Sequence, residues 1–509
     1  MPGHLFIVQA DLTRLEVDAL AIPSDQRRMV ERSWLEHAPK SVRSHRAERF
    51  ADVEQGDVVR WRPWDDGRAA YLVDVGRARQ QEPGWYAKRA LAFLDAAATD
   101  VSAREGRRRA RALIGLPVFG SRHGGAKTIA GDVIDALVTA VHQKVHDADW
   151  DHDVVLAVPS HDTFAACQRV RRRLAEATAG RTGGLATRLA ENAVDGNLVL
   201  FVGAGVSMGA GLPGWRELLD ELADGAAIPA DVRKAMKPDK DGNRRISLLD
   251  EARIIADAYS AKEKLGEAIE ARLRSDRYAL THALLASMPV NEVVTTNYDT
   301  LFEMAAAGAG RPAAVLPYEP VAHGHRWLLK MHGTIDPPRD IVLTREDYLD
   351  YGRTRGALLG IVQAMLITRH MLFVGFSLDD DNFIRIAHDV RAALPKRDPR
   401  HAPKFGTVLT LEEDPARRLV WERDFDIAPM DRSGDGNLTA PARDLEILLD
   451  DVLARSRPEL SHLMKPDFAG VLDAEERDMS AALTRLAGES KDSPAWRPVR
   501  DFLARFGSD

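Results

Sequence analysis

The segment FVGAGVSMGAGLPGWREL, Phe201 to Leu218, sets an apolar strand before a glycine-rich loop and the start of a helix. Gly203 and Gly205 let a backbone come close, and Gly209 and Gly211 admit dihedrals that side chains resist. Backbone N–H groups exposed in such a loop, with a helix N-terminus behind them, attract a pyrophosphate. The spacing G-A-G-x-x-x-G is one residue off the G-x-G-x-x-G dinucleotide fingerprint, so by itself the loop is a weak signal, and a tight turn without a ligand is its plainer reading. Three later segments bring chemistry to comparable places. VVTTNYDTLFE puts Asn297 and Asp299 behind a strand, LLKMHGTID puts His332 behind another, and LFVGFSLDD puts Gly375 and Ser377 behind a third. Each has a plainer reading: Asn-Tyr-Asp is a common turn or helix cap, and a single histidine is more often structural. Four polar loops at the ends of four apolar strands are harder to set aside, because one sheet would gather them along one edge. A histidine, with an ordinary pKa of about 6.5, suits proton transfer at neutral pH. An asparagine beside it can hold water or hydroxyls, and an aspartate can steady positive charge.

Those loops need a sheet to position them. From Asn197 to about Leu449 the strand candidates are NLVLFVG, NEVVTTN, RWLLKMHG, HMLFVGFS and FGTVLTL, most of them ending in a small or polar residue. In an open parallel sheet such ends form the ligand crevice. Residues 246–288 read as consecutive helices inserted between two strands, and KPDKDGNRR (237–245) reads as a charged, solvated loop. Upstream, HLFIVQAD, DALAIPSD, DVVRWRPW, AAYLVDVG, RALIGLPVFG and DVVLAVPS read as strands. TIAGDVIDALVTAVHQKV and TFAACQRVRRRLAEA have apolar residues at helical spacing. The expected organisation is an α/β domain over 1–177, a linker at TAGRTGG (178–184), a second α/β domain over 185–450 and a polar helical segment over 451–509.

A chain of 509 residues exceeds one hydrophobic core. Hydrophobic residues make up 45% and charged residues 29%, a globular balance. The net charge of −7 gives no general attraction to nucleic acid or to anionic lipid. Cys167 is the only cysteine, which excludes an intramolecular disulfide and a zinc site of four cysteines, so no zinc is expected. MPGHLFIVQADLTRLEVDAL lacks the pattern of a secretory signal, and no run approaches the length of a membrane span, so a cytoplasmic protein with no membrane association is expected.

The ordered set GAGVS, LPGWREL, TTNYD, KMHG and GFS resembles the sirtuin-type NAD-binding domain. It is most similar to the bacterial branch associated with phage defence, which includes the NADase effectors of Thoeris-type systems. The resemblance covers roughly residues 185–450, and LTREDYLDY (343–351) strengthens it. It implies a Rossmann-like parallel sheet and NAD+ as substrate. Gly203, Ala204, Gly205 and Ser207 would then line pyrophosphate and ribose, Trp215 and Arg216 would lie on the nicotinamide side, and Gly375 and Ser377 on the adenosine side. Gly214 replaces the aspartate of the family's Asp-Phe-Arg segment. Asn297, Asp299 and His332 match the catalytic positions, with His332 as the base. Sirtuin deacylases carry a zinc module of four cysteines, which is missing here, so water is the expected acceptor and nicotinamide and ADP-ribose the expected products. Protein deacylation, ADP-ribosyl transfer and a catalytically silent NAD-binding scaffold are the alternatives. The branch further implies a homo-oligomeric antiviral effector that depletes NAD+ in abortive infection, with a defence-system partner or a phage trigger. VQADLTRLEVDALAIPSD in turn resembles the opening of macro domains, which bind ADP-ribose, although Ala10 replaces a glycine and an asparagine pair is missing. That resemblance implies a macro-like fold for the first domain and an ADP-ribose-like ligand near Asp11, Ser24, Gly120 and Gly124.

Overall fold

Apolar runs of four to six residues closed by polar or small residues become strands in both halves of the chain. The computed structural model describes residues 2–508 apart from 26–28, 44–56, 77–80, 103–107, 121–125, 178–183, 238–245, 395–403, 432–435 and 457–459. Most of the expected linker, most of the charged loop at 237–245, and Gly124 lie outside the described residues. The chain divides into two units. One comprises Met1–Ala190, Gly308–Gly310 and Glu446–Asp509, the other Glu191–Ala307 and Arg311–Leu445.

The first unit holds six strands: β1 (Leu5–Val8), β2 (Ala19–Ser24), β3 (Val58–Arg60), β4 (Ala69–Asp74), β5 (Leu113–Leu116) and β6 (Asp153–Ala157). Their order is β1-β6-β5-β2-β4-β3, parallel except for β3, which runs antiparallel to β4. β1, β4, β5 and β6 are buried along their whole length, as strands covered on both faces must be. The helix Pro83–Ser102 packs beside Ala130–Val145, which in turn packs beside His161–Ala177. The last residues of the chain belong to this unit. The turn Pro466–Val471 lies so close to the helix Ala130–Val145 that a Cβ at Gly131 would meet Phe468 O at 2.8 Å.

The second unit holds β7 (Leu198–Val202), β8 (Glu292–Thr295), β9 (Ala314–Leu316), β10 (Trp327–Lys330), the hairpin β11 (Thr334–Ile335) and β12 (Pro338–Arg339), β13 (His370–Val374), β14 (Gly406–Glu412) and β15 (Phe425–Asp431). Seven of these form one parallel sheet in the order β15-β14-β13-β7-β8-β10-β9. The chain builds outward from β7 through β8 to β10, then returns to place β13 on the other flank of β7 and builds outward again. This is the doubly wound Rossmann order with β9 added at one edge. The order reverses between β7 and β13, so the crevice lies at their carboxyl ends. The expected helical insertion is present as Leu248–Ala258, Lys262–Leu273 and Leu280–Ser287. Phe201, Phe373, Phe383 and Phe425 form the aromatic centre of the core, with the Phe201 and Phe373 rings 5.0 Å apart. Among the described residues no helix is long and apolar enough to cross a membrane.

Candidate active site

The two strands at the switch point are locked together by their glycine loops. Gly203 N donates to Val374 O at 2.9 Å, and Gly205 N donates to Gly375 O at 3.0 Å. A Cβ on Gly203 would lie 2.3 Å from Gly375 O, and Gly375 itself takes φ 66°. The close approach that these glycines permit is therefore an approach of the β7 and β13 loops to each other. Gly211 takes φ 86°, but Gly209 sits at φ −62° as the C-cap of the helix Ala204–Met208, so only one of that pair has an unusual dihedral.

Ser207, in that short helix, is 2% exposed. Its Oγ donates to Asp299 Oδ2 at 2.8 Å and accepts from Asn297 Nδ2 at 3.2 Å, and His282 Nε2 lies 3.5 Å away. Asn297 Nδ2 also donates to Gly203 O at 3.2 Å. A backbone carbonyl only accepts, so this bond fixes which end of the carboxamide is nitrogen. The other end, Asn297 Oδ1, is buried with no hydrogen-bond partner. Asp299 accepts from Leu301 N with its second oxygen at 3.0 Å, which closes the turn that begins the helix Leu301–Gly308. The loop is held from beneath by Lys330, fully buried in β10, which donates to Tyr298 O at 3.2 Å, to Asp299 O at 2.5 Å and to Glu303 Oε1 at 2.8 Å.

His332 follows β10 and is 4% exposed. Its neighbours are pinned on both sides. Met331 N donates to Thr295 O at 2.9 Å, Met331 O accepts from Tyr351 Oη at 2.7 Å and from Arg355 Nη1 at 3.1 Å, and His332 O accepts from Val342 N at 3.0 Å. Burial pushes the imidazole below the usual histidine pKa; Asp380 opposes that shift and Arg355 adds to it. The ring is therefore neutral at neutral pH, the form in which it accepts a proton. Nε2 lies 3.5 Å from Asp380 Oδ2. His282, behind Ser207, is lowered to about 4 by burial, against a weaker pull from Asp299.

The structure thus brings Ser207, Asn297 and Asp299 into one hydrogen-bonded cluster at the ends of β7 and β8, and sets His332 at the end of the adjacent β10. Trp215 flanks the cluster, its ring 6.3 Å from that of Tyr298. Ala204 is half-buried, whereas Arg216 and Ser377 are exposed. Lys330, Tyr348, Arg355 and Asp380 were not singled out by sequence reasoning. The signals were the lysine inside the apolar strand WLLKM and, for Tyr348, its place in LTREDYLDY. A cavity of about 810 Å³ at the ends of β13 and β14, walled by Leu378, Asp381, Arg385 and Arg417 among others, takes in none of Ser207, Asn297, Asp299 or His332. Among the described residues no group of three or more His, Cys, Asp or Glu is placed to hold a metal ion.

In the first unit, Asp11 follows β1, Ser24 ends β2 and Gly120 follows β5, at the carboxyl ends of three parallel strands. Asp11 accepts from Thr13 N at 2.9 Å and from Thr13 Oγ1 at 2.6 Å, capping the turn Leu12–Arg14. Ser24 Oγ donates to Val73 O at 3.4 Å. Gly120 takes φ 75° with the Tyr86 ring against it.

Residues 291–430, from the start of β8 into β15, match the family model described as a SIR2-like domain. The chain carries a SIR2-like domain. A protein named NAD(+) hydrolase ThsA from Enterococcus faecium is 31% identical over 232 residues, covering 43% of this chain and 45% of that one. Its namesake from Bacillus cereus is 31% identical over 221 residues, 40% of this chain and 42% of that one. Defense-associated sirtuin 2 of Bacillus subtilis is 28% identical over 229 residues, 43% of this chain and 21% of that one. The chain spans less than half the length of each of these relatives. The SIR2-like segment contains Asn297, Asp299, His332, Gly375 and Ser377, and the Gly203–Ser207 loop lies upstream of it.

Proposed function

We propose that this chain hydrolyses NAD+ to nicotinamide and ADP-ribose, as a regulated antiviral effector that acts in the cytoplasm by depleting NAD+. The observation that carries the reading is Asn297 Oδ1: a buried acceptor, oriented by two fixed donor bonds and left open, with a buried neutral histidine at the end of the adjacent strand. Such a pair suits a reaction in which a water or a ribose hydroxyl must be held and then relieved of a proton. The nicotinamide ring nitrogen is positive until its bond to the ribose breaks, which makes it a good leaving group and gives the transition state oxocarbenium character. Asn297 holds the hydroxyl or water, His332 takes the proton, and the Asp299 carboxylate, kept in place by Ser207, offers negative charge to the developing cation. The activity for which the relatives are named supports the same reading. A single cysteine leaves no thiolate set for a zinc module, which supports water over acyl-lysine as the acceptor.

The experiment is incubation of the purified chain with NAD+ alone, with nicotinamide, ADP-ribose and cyclic products quantified, with and without candidate activators. Equal release of nicotinamide and ADP-ribose is expected, unchanged by a chelator. Nicotinamide release only in the presence of an acylated peptide, or NAD+ binding with no turnover under any condition, would overturn the reading. For the first unit we propose an ADP-ribose-like ligand at Asp11, Ser24 and Gly120, a reading supported by their common place at the carboxyl ends of parallel strands. Calorimetry of ADP-ribose against the full chain and its Asp11→Ala variant tests it. Equal heats from both would remove Asp11 from the site.

A further inference from the structure

We propose that Asp380 is the positioning residue of His332: its carboxylate, held by Tyr348, orients the imidazole and stabilises the protonated ring as the reaction proceeds. The two carboxylate oxygens have different tasks. Oδ1 accepts from Phe383 N at 2.9 Å and caps the helix Asp381–Ala393. Oδ2 accepts from Tyr348 Oη at 2.9 Å and lies 3.5 Å from His332 Nε2. Capping alone does not call for a charge, since serine or asparagine caps equally well. The charge is kept in a place where its side chain is 10% exposed and the histidine side chain 5%. His332 Nε2, for its part, is buried with no hydrogen-bond partner, and an unpaired buried ring nitrogen is costly. The Tyr348 and Tyr351 rings meet the imidazole edge-on, with centroids 5.4 and 6.1 Å away, and restrict its rotation. Among the described residues, Asp380 favours the protonated ring and Arg355 disfavours it.

The consequence rests on the hydrolytic reading. At 3.5 Å the neutral ring nitrogen and the carboxylate are still short of a hydrogen bond, and catalytic bonds of this kind tighten when substrate arrives. With Nε2–H directed at Asp380, Nδ1 carries the free lone pair. A water proton passes to Nδ1, the water oxygen bonds to the ribose carbon, and the electrons of the breaking carbon–nitrogen bond go to the nicotinamide ring. The carboxylate fixes the tautomer and steadies the imidazolium without itself taking the proton, as in other carboxylate–histidine pairs.

The test uses the full chain with labelled histidines. The His332 resonance, assigned by its loss in His332→Gln, is titrated in the wild type, Asp380→Asn and Tyr348→Phe, beside the pH profile of nicotinamide release. Asp380→Asn keeps a cap for Phe383 N but removes the charge. Its His332 should titrate lower by about one pH unit or more, and kcat should fall by at least about tenfold with KM nearly unchanged. Tyr348→Phe should move both readouts the same way by less. An unmoved His332 titration with kcat within about twofold of wild type in Asp380→Asn would overturn the proposal. If that variant does not fold, Tyr348→Phe decides alone, because it leaves the cap untouched and an unmoved titration there is equally fatal. A wild type that releases no nicotinamide defeats the hydrolytic reading, while the resonance shift still decides whether Asp380 governs His332.

Discussion

The Asn297 carboxamide has its donor side committed to Gly203 O and Ser207 Oγ and its acceptor side open. Truncation removes the open acceptor while the glycine loops, locked by backbone bonds, stay as they are. Asn297→Ala should therefore lower turnover by about 10²-fold, the usual scale for a lost positioning or acid–base group, with NAD+ affinity by calorimetry largely kept. A variant that no longer binds NAD+ would make Asn297 an affinity residue. The pH profile addresses His332. Burial and Arg355 lower its pKa against the pull of Asp380. A base must be neutral to act, so a lowered pKa keeps it competent further into acid. Turnover should fall only below the ordinary histidine value of about 6.5, and this limb should vanish with activity in His332→Ala. An acid limb above that value would contradict the assignment. Asn297, Asp299 and His332 were legible because each stands just past an apolar run, where a polar residue has a reason to be. Asp380 was not. It is the middle of three consecutive aspartates, and nothing in that run tells which one turns inward. The structure does: Asp379 meets Arg417 at the surface, while Asp380 reaches His332.

The junction of β7 with β13 decides whether the site exists. Gly375 is left-handed at φ 66°, and a Cβ there would lie 2.5 Å from Val206 N. Gly375→Ala thus meets a backbone conformation that costs about 1 kcal/mol or more and a clash with main chain that cannot swing aside, typically a further 1–3 kcal/mol. Thermal unfolding should shift down by several degrees, and turnover should drop because Ser207 and Asn297 are both referenced to that loop. Unchanged stability and turnover would show that the two loops are not tightly coupled. The strands of this junction were legible. LVLFV and the MLFV that follows His370 are unbroken apolar runs, which is how strands buried on both faces read. β9 and β15 were not. β9 is only three half-buried residues. β15, FDIAPMD, carries two aspartates past its first residue and a proline, and is buried only at Phe425. It pairs with β14 alone, and a sheet edge is where proline and charge are tolerated.

The return of the last residues to the first unit rests on partners that no local pattern could have joined. Arg171 donates to both oxygens of Asp450 at 2.7 Å across 279 residues of chain, and His4 Nε2 meets the same carboxylate at 2.8 Å. Periodicity marks the helices that carry these groups but says nothing of their pairing. Burial works against the Asp450 charge, yet Arg171 and His4 more than offset it and hold the carboxyl below its usual range. A carboxylate whose folded pKa is depressed contributes stability that is complete above the unfolded value of about 3.9 and is lost as pH falls through the folded one. Asp450→Asn leaves Arg171 buried without its counter-charge, an arrangement that costs about 3–5 kcal/mol. At neutral pH, hydrogen exchange in β1 and β6 should therefore quicken in the variant relative to wild type, since β1 and β6 are neighbouring strands and the residues beside them bear the pair. The difference should close as pH falls below the carboxylate range, because the wild type then loses the same charge by protonation. A gap that stays constant down to low pH would mean that Asp450 acts by its shape and hydrogen bonds rather than by its charge.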